Sequence, residues 1–325
     1  MKFTVFGAGA IGAYLGGKLS LAGNEVTLIA RGPHLTAMQR NGLIIKEHGT
    51  ELLAQPKLCE TLDGIGNLGC LILGVKAYTL TGIAPLLGSK LDPETVVIPA
   101  QNGIPWWYFD SHGGALEGTR LNSVDPEGVI ANAIPSSQII GCVVFPAVEM
   151  VAPGIIQHIE GDRFSVGELD GSISGRLRLV SRTITNSGLR APVRSNIRQD
   201  IWVKLLGNLA FNPISALTKV SMETISRDET ILEIVRGMME EAVKVADSIG
   251  IKIPLSIDQR LAGAEKVGTH KTSMLQDIEA GKPTEIESLL GSVIELGKIQ
   301  GIHMPYLTSI YACVKLLEKI PSKYL

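Results

Sequence analysis

The chain has 325 residues, 45% of them apolar and 19% charged, a globular composition that is long for a single hydrophobic core, so two domains are expected. Thirty Lys and Arg stand against 32 Asp and Glu, for a formal net charge of −2. This balance excludes the strong positive field that nucleic acid or an anionic membrane surface demands, and neither is expected as a partner.

Cysteine and histidine usage narrows the class further. Cys59, Cys70, Cys142 and Cys313 are scattered without a C-x-x-C pair, and the six histidines are dispersed. Neither pattern has metal-ligand spacing, so no metal is expected, and a reduced, cytoplasmic setting fits best. Residues 3 to 22 are apolar enough to resemble a leader or membrane anchor. Lys18 interrupts the run and glycines recur in it, so a buried strand and helix is the preferred reading.

In chain order, Lys2 to Phe6 reads as a strand, Ala10 to Ala22 as a helix and Glu25 to Ala30 as a second strand. Leu71 to Val75 and Val96 to Pro99 read as further buried strands. This alternation predicts a parallel sheet wound with helices. The stretch from Ile104 to Gln138 is irregular and carries Trp106, Trp107, Tyr108 and Phe109, so a surface loop and a lid both fit. Ile139 to Phe145, Gly154 to Ile159 and Phe164 to Gly167 read as strands closing the sheet's edge. From Asn196 onward strand signals almost vanish, with helices expected over Ile201 to Leu217, Ile231 to Ile249, Ser256 to Val267, Glu285 to Gln300 and Thr308 to Glu318. The expected fold is α/β, an N-terminal Rossmann-type doubly wound sheet over residues 1–195 and a C-terminal all-helical domain over 196–325.

Gly7-Ala8-Gly9-Ala10-Ile11-Gly12 matches the G-x-G-x-x-G fingerprint, directly after a predicted strand and opening a predicted helix. The first glycine permits a tight turn, the second admits a pyrophosphate to the backbone, and the third lets helix and strand pack closely. About twenty residues further on, where a site for NAD carries an acid, this chain has Arg31. A guanidinium there suits the 2′-phosphate of NADP. Lys76, after the strand Leu71 to Val75, would add a second positive charge.

The run Asp200 to Ile214 places Lys204, Asn208 and Asn212 on one stripe of a helix that is otherwise apolar nearly all round, with Ser215 on the same stripe. Buried amide and ammonium groups need partners, and a ligand would supply them. Lys204 is the expected general acid, protonating an alkoxide as hydride arrives at a carbonyl carbon. Glu285, in Pro283-Thr284-Glu285-Ile286-Glu287, is the expected carboxylate beside it. Thr284 and Glu287 also have capping-box spacing, which gives this segment a purely structural alternative.

Taken together, the fingerprint, Arg31, Val75-Lys76-Ala77, Gln101-Asn102-Gly103, Trp202-x-Lys204 with Asn208 and Asn212-Pro213, and Ser273-Met274-Leu275-Gln276-Asp277 followed by Thr284-Glu285-Ile286 resemble the ketopantoate reductase family in content and order. The resemblance covers nearly the whole chain. It implies NADPH-dependent reduction of the 2-keto group of 2-dehydropantoate (ketopantoate) to pantoate, with Lys204 as proton donor. It further implies that Asn208 and Asn212 contact the substrate, Ser273 its carboxylate, and Glu285 its hydroxyl or the lysine. Asn102 would touch nicotinamide ribose and substrate, and Ala147 would line the cofactor.

Three departures from the family pattern stand out: His270 replaces an Asn before the Ser273 block, Val220-Ser221-Met222 replaces an Asn-Gly element after the α-helical Lys204 segment, and the aromatic-rich segment after Gly103 is longer than a typical member's. Together these permit a different, bulkier or more apolar 2-keto acid, with Trp106 and Trp107 capping its pocket. A β-hydroxy acid dehydrogenase and a non-catalytic NADP-sensing protein are the other readings. The apolar helices Ile286 to Ile299 and Leu307 to Leu317 fit a homodimer surface and a monomer core equally well.

Overall fold

The computed structural model describes residues 1–265 and 271–320. Its internal contacts divide the chain into two units, the first formed by residues 1–101, 109–118 and 128–197, the second by 102–108, 119–127 and 198–325.

The first unit contains β1 (Lys2–Phe6), α1 (Ala10–Leu21), β2 (Glu25–Ile29), α2 (Gly32–Asn41), β3 (Leu43–Glu47), β4 (Thr50–Ala54), β5 (Lys57–Cys59), β6 (Cys70–Leu73), α3 (Leu80–Gly88), β7 (Val96–Pro99), α4 (Val129–Ala133), β8 (Gly141–Val144), β9 (Ala147–Ala152), β10 (Ile155–Glu160), β11 (Phe164–Gly167) and α5 (Gly175–Asn186). The main sheet is parallel throughout, in the order β5-β2-β1-β6-β7. Its central strands are apolar runs because both of their faces are covered. A parallel bridge from Val97 to Ile139 continues that edge into the β8–β11 pair.

A second sheet, ordered β4-β3-β10-β9, lies on the other side of α1. Helix α1 is therefore apolar all round for a packing reason. A side chain at Gly16 would press on Leu28 of the main sheet, and one at Gly17 on Ile45 and Leu43 of the second. The leader-like composition of residues 3 to 22 is that of a helix buried between two sheets. Among the described residues no helix is long and apolar enough to cross a membrane.

Two sequence expectations change here. β8 and β11 do extend the edge beyond β7, but β10 pairs with β9 and β3 instead. The turn at Pro153-Gly154, with Gly154 at φ +80°, folds that hairpin onto the second sheet. The helical signal also starts earlier than Asn196: Leu177, Val180 and Ile184 give α5 a buried stripe, and Ser174 caps it.

The second unit is helical: α6 (Ile197–Thr218), α7 (Met222–Ser226), α8 (Glu229–Ser248), α9 (Ile257–Glu265), α10 (Ser273–Glu279), a π turn over Glu287–Gly291 running into α11 (Ser292–Ile299), and α12 (Pro305–Leu317). The expected division at 195/196 is too simple, because residues 102–108 and 119–127 also belong to this unit. Apolar burial and backbone bonds hold them there. Trp106, Trp107 and Tyr108 are no more than 4% exposed, Trp202 Nε1 donates to the Tyr108 hydroxyl at 2.8 Å, and the amides of Asn122 and Ser123 both donate to the Glu295 carboxylate. The aromatic run is thus core rather than surface loop or lid. On the C-terminal helices Leu307 and Val314 are buried, while Tyr306 and Leu316 stay exposed.

Candidate active site

In the first unit, the glycine turn joins β1 to α1. Gly7 has φ +96°, which only glycine adopts without strain. A side chain at Gly12 would collide with the Gly7 carbonyl oxygen, so helix and strand meet as closely as the fingerprint requires. Gly9 is different. It is the N-cap of α1, makes no side-chain cap, is followed by no acid in the first turn, and a Cβ there would approach nothing nearer than Gly74 O at 3.8 Å. The orphan amides of the α1 N-terminus thus face an open cradle of the kind that accepts a phosphate.

Ala8 is buried, and Ala10 and Ile11 are half-buried along the start of that helix. Arg31 follows β2 as the exposed N-cap of α2. Lys76 follows β6, half-buried, its carbonyl closing a turn with Thr79. Ala147 opens β9, half-buried. A role for Gln101 was not legible beforehand: its amide donates to Leu73 O at 2.7 Å and Val75 O at 3.0 Å, pinning the end of β7 to the end of β6.

In the second unit, three side chains from distant positions meet. Lys204 Nζ donates to Asn102 Oδ1 at 2.5 Å, and Asn102 Nδ2 donates to Glu285 Oε2 at 3.2 Å. Lys204 comes from the middle of α6, and Glu285, 6% exposed, stands just before the π turn. Asn102 is held there by its own backbone. Gly103, at φ +87°, lies against Ser288, where any side chain would collide with the Ser288 carbonyl, and that carbonyl accepts from the Ile104 amide at 2.9 Å. A π turn shifts the backbone ladder by one residue and is a recurrent device beside functional groups.

The rest of the α6 stripe divides. Asn208 is half-buried and Asn212 only 6% exposed, yet neither amide bonds another described residue and neither is sealed from solvent. Buried amides are nearly always bonded, so the pair is suited to an external ligand. Ser215 instead donates to Val220 O at 2.6 Å and leaves the stripe. Ser273 is the exposed first residue of α10, behind its N-cap Thr272, and has no bond to Lys204, Asn102 or Glu285. His270 lies outside the described residues.

The capping-box alternative for Thr284 and Glu287 does not form. Thr284 donates to Glu318 and Glu287 accepts from Tyr311 and Lys315, which leaves Glu285 as the acid turned to Asn102. Among the described residues one group of potential metal ligands comes together elsewhere, Glu47, His48 and His158. Its carboxylate already accepts from Lys18 and Tyr14, and His158 Nε2 pairs with Gly161 O.

Comparison with known proteins follows the same two halves. Residues 3–105 match the family model described as ketopantoate reductase PanE/ApbA, and residues 196–318 match its C-terminal counterpart. The chain is 48% identical to a 2-dehydropantoate 2-reductase of Mesorhizobium japonicum over 98% of both chains. A solved structure from Ralstonia solanacearum MolK2, assigned to the ketopantoate reductases, aligns with a TM-score of 0.92 at 37% identity over 97% of both chains. A D-mandelate dehydrogenase solved with NADH and anilino(oxo)acetate shares the fold alone, with a TM-score of 0.83 at 24% identity over 98% of both chains. Helical and Rossmann-type halves, their motifs and this near full-length identity make the chain a member of the ketopantoate reductase family of oxidoreductases.

Proposed function

We propose that the protein reduces the 2-keto group of 2-dehydropantoate to pantoate with NADPH, as a cytoplasmic enzyme. The observation that carries this reading is the Lys204–Asn102–Glu285 chain of hydrogen bonds beside two asparagines whose amides bond no other described residue. When bound, the dihydronicotinamide supplies the hydride, two electrons and one hydrogen, to C2 of the keto acid. Lys204 then gives one Nζ proton to the developing alkoxide, which closes the balance at the alcohol. Asn102 and Glu285 aim the ammonium, and reprotonation of Lys204 from solvent completes the cycle.

The remaining residues bind. The α1 N-terminus at Gly9 takes the pyrophosphate, between the turn residues Gly7, Ala8, Ala10, Ile11 and Gly12. Arg31 and Lys76 neutralise the 2′-phosphate, Arg31 by a two-pronged bond that lysine cannot copy. Ala147 lines the cofactor, Asn208 and Asn212 hold polar atoms of the substrate, and Ser273 bonds its carboxylate.

The test is NADPH oxidation at 340 nm across 2-keto acids with branched, aromatic and hydroxylated side chains, NADH in parallel and Lys204→Ala as control. Turnover of 2-dehydropantoate that falls roughly 10²- to 10⁴-fold in the variant supports the assignment. Turnover of another keto acid alone transfers the mechanism to that substrate. NADPH binding without turnover of any of them makes the protein a sensor and sinks the proposal.

A further inference from the structure

Among the described residues Arg260 has no counter-charge. It lies on α9, half-buried, with Nε sealed from solvent, and among the described residues no acceptor bonds its guanidinium. Burial alone disfavours its charged form, with no opposing contribution from a neighbouring acid. A guanidinium does not neutralise itself at any ordinary pH. Leaving one desolvated and unpaired is costly unless an anion arrives.

Its position says where that anion would sit. The guanidinium lies flat against Gly207 of α6, where a single added methyl group would collide with Nε, Cζ and Nη2. Glycine in the interior of a 22-residue helix is otherwise unfavourable, and here its bare surface is what lets the guanidinium in. Gly207 follows Lys204 by one turn and adjoins Asn208, so the charge is brought to the helix segment that carries the proton donor. A 2-keto acid bears its carboxylate on the carbon bonded to the carbonyl. An acid whose keto oxygen meets Lys204 therefore holds its carboxylate about one helical turn away, within a guanidinium's reach.

We infer that Arg260 is a substrate-binding residue that grips the carboxylate of the 2-keto acid through two parallel N–H bonds. The inference rests on the reductase reading above and adds to it the group that makes the enzyme select an acid over a neutral ketone. Gly207 serves the same end by keeping the guanidinium's place open.

The experiment compares wild type, Arg260→Gln, Arg260→Lys and Gly207→Ala in NADPH oxidation, using 2-dehydropantoate and the methyl ester of the same keto acid. In Arg260→Gln the KM for the acid rises roughly 30- to 1,000-fold, the loss expected when one partner of a buried charge pair is removed, with kcat retained. KM for the ester does not move, so discrimination between acid and ester collapses. Arg260→Lys recovers part of it. Gly207→Ala displaces the guanidinium and follows Arg260→Gln in KM, while its melting temperature holds or rises because alanine favours the helix. Equal losses for acid and ester, or an unmoved KM, overturn the inference and leave Arg260 a packing residue. Should wild type turn over no 2-keto acid, the reductase reading fails by itself. Calorimetric titration of the keto acid then decides separately: binding to wild type and not to Arg260→Gln upholds the carboxylate site, and equal or absent binding overturns it.

Discussion

The Asn102 side chain bridges Lys204 and Glu285, accepting from the lysine at 2.5 Å and donating to a carboxylate 183 positions away in sequence at 3.2 Å. A carboxamide carries an acceptor oxygen and a donor nitrogen on one planar group, so a single side chain does both at once. Asn102→Ala removes the bridge without adding charge, and misplacement of the ammonium is expected to lower kcat about 10²-fold. Steady-state kinetics checks this. A change confined to KM would show that Asn102 holds substrate rather than the lysine.

Gly103 secures that bridge. Any side chain there meets both a left-handed φ of +87° and the Ser288 carbonyl, a backbone atom that cannot swing aside. Gly103→Ala is expected to cost at least about 1–3 kcal/mol, read by urea unfolding, and to lower kcat with it. Full stability together with full activity would mean that the Asn102 segment is not pinned to the π turn.

The fingerprint glycines separate folding from binding. Gly12→Ala puts a methyl group into the Gly7 carbonyl, so loss of melting temperature is expected. Gly9→Ala places its methyl group in open space, nearest Gly74 O at 3.8 Å. It should melt as wild type does while binding NADPH more weakly, because the methyl group occupies the phosphate cradle. Fluorescence titration and a melting curve on the same two variants test both halves.

Glu47 provides a pH signature in the first unit. Burial opposes its ionisation, but bonds from Lys18 at 2.7 Å and Tyr14 at 2.8 Å outweigh it, so its carboxyl is held below the ordinary glutamate range. A depressed folded value contributes stability that is complete above the unfolded pKa of about 4.3 and is lost as pH falls through the folded value. Glu47→Gln should cost roughly 1–3 kcal/mol at pH 7. The gap to wild type should close below about pH 4. A gap independent of pH would assign the effect to shape rather than charge.

Much of the candidate site was legible because it is local. The glycine turn is a run of six residues bounded by a strand and a helix, and the Lys204, Asn208 and Asn212 stripe follows from helical periodicity alone. Ser215 shares that periodicity, but its hydroxyl is taken by Val220 O within its own chain segment. Arg260 carried no signal at all, because a single arginine on a polar helix reads as a solvated charge until Gly207 is found beneath it.

By itself, then, the sequence determined the kinds and order of the elements, the glycine turn and the residue types of the candidate site. These depend on spacing along one element, which backbone geometry converts directly into direction. Tertiary structure decided which distant residues meet: Asn102 with Lys204 and Glu285, Arg260 with Gly207, the aromatic run with α6, and α1 between two sheets. Such contacts arise from burial and packing summed over the whole chain, and no local period encodes them.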